Sequence, residues 1–333
     1  MLEVIRIAVV VGLSVTALAP LVPEAAPGGS PTAASAPERG DIEPSPVRAG
    51  FSVRFHDITT PYRVFMMRAL PGERVKLDVI SGSGAFSARA TGGQVRELSE
   101  REFEWVAPEQ PGVYPVTIRS TASAADSMVL NAIVMVPLQQ AQGGTVDGYR
   151  VGEFPSRPYR DMPQYLPPPG FIQLTPDNGG TQVSPHFKLG QFPAKAPQGF
   201  PKYLVLSERL LLKLELLLEE SRRRGLNIET FQVLSGFRSP WYNAGIGRPR
   251  YSRHIYGDAA DIYVDDDGDG RMDDLNGDGR VDIRDAAVLY TIVEEMDGDP
   301  STQYLLGGLG KYPVTPNHGP FIHVDTRLWR ARW

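Results

Sequence analysis

Cysteine is absent from all 333 residues, which excludes disulfides, thiolate metal sites and cysteine nucleophiles together. Histidine is scarce, with only five residues, so any transition-metal site has to combine imidazole with carboxylate. There is no excess of positive charge. The formal net charge is -5, and the stretch from Asp265 to Asp285 alone sets nine aspartates against Arg271, Arg280 and Arg284. The remainder is close to neutral, without the basic stripe that a nucleic-acid partner requires. An apolar run of full membrane-spanning length is also missing. The run from Ile7 to Val22 falls short of the about 20 residues a spanning helix needs. It follows a weakly charged start, as an export signal or single anchor does, and cleavage near Ala26 or retention as a tether are both open. The expectation is an exported protein of the periplasm, cell envelope or medium.

The chain is long enough for two modest domains and linkers. Residues 23–50, rich in Pro, Ala, Gly and Ser, read as a flexible tether. Residues 51–137 carry short alternating segments, such as Val75-Lys-Leu-Asp-Val79, broken by Gly, Pro and Ser turns. That spacing predicts a small antiparallel β-sandwich. The piece from Trp105 to Ile118 resembles the end of bacterial immunoglobulin-like modules. Such a module could serve as a spacer or bind a sugar or protein partner. Residues 138–183 read as a docked Pro/Gly-rich connector. Ser207 is a good N-cap for a helix to Arg224 that places Leu210, Leu214, Leu217 and Leu218 on one face. A buried strand is predicted from Phe231 to Ser235.

Two of the five histidines lie in segments with metal-ligand character. In the first, from Ser252 to Ile262, a turn at Gly257 can fold His254 back towards Asp261 on a strand starting at Ile262. In the second, from Asn317 to Arg327, His323 sits on the apolar strand Phe321-Ile-His-Val324. Two imidazoles and one carboxylate suit catalytic zinc, which keeps three protein ligands and an open position for water.

Taken in order, Ser184-Pro-His186-Phe-Lys-Leu-Gly-Gln-Phe192, Ser235-Gly-Phe-Arg238-Ser239, His254 to Asp261, and His323-Val-Asp325 resemble the zinc D-Ala-D-Ala carboxypeptidase family, whose fold is shared by lysostaphin and the Hedgehog signalling domain. The resemblance covers roughly residues 184–333. It implies an α+β zinc peptidase domain, a small antiparallel sheet with flanking helices, preceded here by the all-β sandwich. It also implies His254, Asp261 and His323 as Zn2+ ligands and Arg238 as the cation that holds a substrate carboxylate or oxyanion. His318 is implied as general base or stabiliser. The implied substrate is a peptidoglycan stem peptide cut near D-alanine, by a carboxypeptidase or a crosslink endopeptidase. Many relatives carry Glu three residues before the last ligand, where Pro320 stands, and others carry His where Phe321 stands. Base duty then falls to His318, with Asp258 as the other candidate. A wall-binding module without turnover is the alternative reading, and an adhesion scaffold a further one. His186 reads as structural and His56 as surface. Asp325 reads either as a hydrogen-bond partner that fixes a ligand tautomer or as the ion-pair partner of Arg327.

After Asp261 comes an acidic insertion. Asp274, Asn276, Asp278, Asp282 and Asp285 occupy positions 1, 3, 5, 9 and 12 of a calcium loop, with Gly279 at 6 and the Arg280 carbonyl at 7. The pattern resembles EF-hand and dockerin loops, and a helix is predicted from about Ala286 to Glu295. An earlier run, Asp265, Asp267, Asp269 and Asp273, follows the same spacing but has Asn276 at position 12, so it reads as the weaker Ca2+ site.

Overall fold

The alternation of apolar and polar residues sets the first half of the fold. In the computed structural model, which describes residues 46–333 apart from Ala124, nine strands occupy the segments with period-two patterning. They are β1 (Arg48–Phe55), β2 (Ile58–Tyr62), β3 (Val64–Ala69), β4 (Arg74–Val79), β5 (Phe86–Ala90), β6 (Gln94–Glu97), β7 (Glu102–Val106), β8 (Gly112–Ser120) and β9 (Ser127–Val134). In β4, Val75, Leu77 and Val79 are buried while Arg74 and Lys76 are exposed. Five strands form one sheet in the order β2-β1-β4-β7-β6, and four form another in the order β3-β9-β8-β5. Only Arg63 separates β2 from β3, so the chain changes sheets within one residue. Phe51, Val53, Phe103 and Trp105 of the first sheet share an apolar cluster with Phe65, Met67, Ile118 and Leu130 of the second.

Two details differ from expectation. The β3–β9 pair is parallel within an otherwise antiparallel arrangement, because the sheet switch at Arg63 reverses which edge the chain meets. The predicted tether overlaps β1, which begins at Arg48. The apolar run of residues 5–22 and the tether up to residue 45 lie outside the described residues. No helix among the described residues is long and apolar enough to cross a membrane.

The second half is built on a five-stranded sheet whose strands run in the order Gln232–Ser235, Ala259–Tyr263, Phe321–Asp325, Gly308–Tyr312 and Ala331–Arg332. All neighbours are antiparallel except the last pair. Alternation gives this sheet two chemically distinct faces. Ala260, Ile262, Leu309, Ile322 and Val324 are buried in the apolar core. The opposite face receives Asp261, Tyr263, Gly310, Tyr312, Phe321, His323 and Asp325. Against the apolar face lies helix α3 (Ile283–Gly298), which also meets helix α1 (Glu208–Arg223); the short α2 (Pro240–Gly245) lies between them in sequence. Ser207 caps α1 by accepting from the Arg209 N–H at 3.2 Å, and Leu210, Leu214, Leu217 and Leu218 are buried. Among the described residues 34% are strand and 21% helix, a mixed architecture dominated by antiparallel sheet.

Residues 138–183 do more than connect. Gly170–Leu174 pairs on one side with Val136–Pro137 and on the other with Lys202–Leu204, and Phe171, Ile172 and Leu174 are buried. Among the described residues both halves belong to one compact unit. The seam is α1. Its buried Glu208 accepts from the Arg68 backbone N–H at 2.9 Å and from Arg68 Nε at 2.7 Å, while Glu219 pairs with Arg48 and Arg209 with Asp57. Burial alone would raise the Glu208 carboxyl, but Arg68 outweighs it and holds the group below the usual range. Removing Arg68 would strand that charge. Arg68→Ala is therefore expected to cost about 3 kcal/mol in urea unfolding, against under about 0.5 kcal/mol for exposed Arg54→Ala. Equal effects would show that the seam contributes nothing beyond a surface pair.

Candidate metal centre

Gly257 makes the first part of the site possible. Its φ is 72°, in the left-handed region, and a Cβ there would lie 2.3 Å from the Val205 carbonyl oxygen. The chain can thus leave the turn Arg253–Tyr256, reverse, and enter Ala259–Tyr263. The strand starts three residues before the expected Ile262, so Asp261 lies inside it and is locked by its ladder. Asp261 stands directly opposite His323 in the register, with Ser235 and Gly310 as the outer neighbours of the row.

His254, Asp261 and His323 are all buried, and their donor atoms converge. His254 Nε2 is 3.2 Å from His323 Nδ1 and 3.2 Å from Asp261 Oδ1; His323 Nδ1 is 2.9 Å from Asp261 Oδ1. Ligands at zinc-like bond lengths in tetrahedral array stand about 3.3 Å apart, so the triangle has the dimensions of a metal site.

The outer nitrogens decide how these atoms are presented. His254 Nδ1 is 2.7 Å from the Gly236 carbonyl oxygen, which can only accept, so the proton is on Nδ1 and Nε2 turns a lone pair inward. His323 Nε2 is 3.0 Å from Asp325 Oδ2, which likewise leaves the Nδ1 lone pair facing the centre. Asp325 also accepts from the Gly308 N–H at 2.7 Å and from Arg327 Nε at 2.9 Å. It therefore fills both roles considered for it. Two lone pairs and a carboxylate oxygen facing one another repel unless a cation lies among them.

The ionisation of the group reflects that demand. Burial would raise Asp261, but His254 and His323 outweigh it and hold it well below the carboxylate range. Burial lowers His254 in spite of Asp261. For His323, burial works against the charged form, yet hydrogen bonds to Asp261 and Asp325 raise it to about 9. A proton on His323 or a divalent ion at the centre meets the same need.

Arg238 departs from expectation. Its Nε donates to Ser235 Oγ at 2.8 Å and its terminal nitrogen donates to Asp261 Oδ2. The guanidinium thus aims the carboxylate of a triad member, a contact that leaves its Nη1 donors uncommitted among the described residues. The strand pairing of Ser235 with Asp261 brings Arg238 there. His318 lies on a loop before the His323 strand, its ring edge-on to Phe321 at 4.9 Å and its Nδ1 2.8 Å from the Gly319 carbonyl. Among the described residues no hydrogen bond joins it to the triad. It lines a cavity of about 80 Å³ with Leu234, Tyr263, Arg271 and Met272. Asp258 is buried and held by Arg253 at 3.0 Å, which removes it as a free base. His186 pairs with buried Glu215 at 2.6 Å, and His56 packs on Phe55 near Glu73.

In the acidic insertion both runs fold as loops closed on their own backbone N–H groups. Asp265, Asp267 and Asp269 bring their carboxylates together, whereas Asp273 turns to the Asp266 N–H at 2.9 Å. In the second run Asp285 is buried and accepts from the N–H groups of Leu275, Asn276 and Asp282 at 2.9, 3.2 and 2.8 Å. With Asp282 it forms the capping box of α3, which therefore starts at Ile283 and not Ala286. Asp274 and Asn276 accept from backbone N–H groups of their own loop, Asp278 accepts from the Arg280 N–H at 3.0 Å, and Arg284 bridges Asp278 and Asp282.

Sequence reasoning passed over Trp333 and Tyr312, which flank His323. The ring of Trp333 is 5.1 Å from that of His323, and its Nε1 donates to Tyr312 Oη at 2.5 Å. Only strand pairing brings them there.

No protein-family model matches the chain, and no curated protein matches it.

Because Asp325 fixes the His323 tautomer, Asp325→Asn is expected to weaken divalent-ion affinity about 10- to 100-fold in a chelator competition assay. Unchanged affinity would show that Asp325 serves Arg327 alone.

Proposed function

We propose that this chain is an exported zinc peptidase that hydrolyses peptidoglycan stem peptides near D-alanine, with an α+β peptidase domain behind an immunoglobulin-like sandwich. The observation that carries the reading is the convergence of His254 Nε2, Asp261 Oδ1 and His323 Nδ1, each oriented by a second partner. The family likeness from residue 184 onward supplies the substrate class.

Zinc held there would polarise a water and the scissile carbonyl. The chain's own residues supply the remainder. Gly236 and Asp325 hold the two imidazoles in the tautomers that present lone pairs. Arg238 holds Asp261 Oδ2, so Oδ1 is left as a single-oxygen donor. His318 keeps its proton on Nδ1 against the Gly319 carbonyl, so Nε2 is the nitrogen able to accept a proton at the edge of the same face.

Arg238, whose remaining donors are uncommitted, suits a free terminal carboxylate, which favours a carboxypeptidase slightly over a crosslink endopeptidase. A wall-binding module without turnover is the second reading, favoured by the lack of a hydrogen bond between His318 and the triad. Calcium remains part of the proposal for the acidic insertion. Asp265, the first of its carboxylates, follows Tyr263 at the end of the Asp261 strand by two positions, so ion binding would order the end of that strand.

Digestion of purified muropeptides, with metal content measured in parallel, tests the reading. One zinc per chain and a mass-resolved product, with hydrolysis lost and zinc reduced in His323→Ala, are expected. His318→Ala should keep its zinc and lose about 10²-fold or more in kcat. One zinc and no product would leave the binding module. For the insertion, calcium is expected to raise Tm, and Asp267→Asn to remove that gain; a Tm indifferent to calcium would end this part of the proposal.

A further inference from the structure

The sheet face that carries the triad continues beyond it. Two residues along each strand from Asp261, His323 and Gly310 stand Tyr263, Phe321 and Tyr312, about 7 Å further on. This second row is aromatic and uncharged. Phe321 and Tyr312 are stacked, with ring centroids 4.6 Å apart and planes within 10°. Trp333 borders both rows, beside His323 and hydrogen-bonded to Tyr312.

Trp333 is held there by construction. The preceding Arg332 is anchored to α3 through Glu294 and Asp297 and to the Gly307 carbonyl. Alternation then turns Trp333 to the opposite side. Gly310 makes the space: a Cβ there would lie 2.4 Å from Trp333 Nε1. Yet Trp333 as a residue remains 48% exposed beside a buried triad. Its ring is fastened through its polar edge and flanked by His323 and Arg327, and the surface it still presents to solvent is placed to contact something else.

We propose that Trp333, seated by Gly310 and tied to Tyr312, forms a substrate subsite that takes the uncharged peptide segment next to the bond cleaved at the triad. The proposal rests on the peptidase reading for its substrate. Planar amides and methyl side chains stack on such a surface. Arg327, whose guanidinium lies 5.4 Å from the Trp333 ring, is engaged with Asp325. Trp333 is a positioning residue and not a metal ligand.

The test uses the full zinc-loaded chain as wild type, Trp333→Ala, Trp333→Phe and Gly310→Ala. The probes are crosslinked muropeptides and the same peptides freed of their sugars. Trp333→Ala is expected to raise KM about tenfold on both probes, with kcat within about twofold and zinc content unchanged. Trp333→Phe should recover most of the loss, and Gly310→Ala should reproduce it by displacing the ring. Loss of zinc, a fall in kcat at constant KM, or an effect confined to the sugar-bearing probe would overturn the proposal. If the wild type cleaves neither probe, the peptidase reading fails by itself, and calorimetric binding of the sugar-free peptide decides the subsite. About tenfold weaker binding by Trp333→Ala supports it; equal binding, or none by the wild type, overturns it.

Discussion

Three donor atoms that repel one another are buried in the same place, and the second half of the structure is arranged to hold them there. His254 Nε2, His323 Nδ1 and Asp261 Oδ1 meet at 2.9 to 3.2 Å with their lone pairs facing inward. Such a grouping is unfavourable without a cation and cannot assemble from flexible side chains. Each donor is accordingly fixed twice, once by its backbone and once by a partner on its far side. For His254 the partner is the Gly236 carbonyl, for Asp261 it is Arg238, and for His323 it is Asp325.

The supports extend into the core. Asp325 is locked by Arg327 and the Gly308 N–H, and its carbonyl accepts from the buried Lys213 of α1 at 3.3 Å. Lys213 also reaches Asp297 at the end of α3, and burial lowers its pKa against that pairing. A change in α1 is thus two contacts away from His323, and one at the end of α3 three. The same α1 carries Glu208 and Glu219, which bind Arg68 and Arg48 of the β-sandwich. The N-terminal half is fastened to the helix that supports the site, a closer relation than that of a spacer.

Much of this was legible in local sequence. Period-two alternation marked β4, Ser207 marked the start of α1, and Gly257 marked the reversal that brings His254 and Asp261 together. In each case the cause lies within a few residues: a steric limit at positive φ, an N–H without a helical partner, or an apolar stripe that has to be buried. The acidic runs were equally visible as loops. Where Asp285 turns was not, because its carboxylate had two uses open to it, and in the fold it accepts from backbone N–H groups at the start of α3 and in the loop before it.

What the sequence by itself determined is the inventory and its local geometry: which residues can donate, which turns can form, and which faces are apolar. Tertiary structure alone decided who meets whom across 62 residues between Asp261 and His323, or 69 between His254 and His323. The register that opposes Asp261 to His323 also puts Ser235 beside Asp261, drawing Arg238 onto that carboxylate. It puts Gly310 beside His323, opening room for Trp333. Register is set by burial of the whole apolar face at once, since a slip of one residue would turn every side chain to the other side of the sheet. No local pattern contains that information.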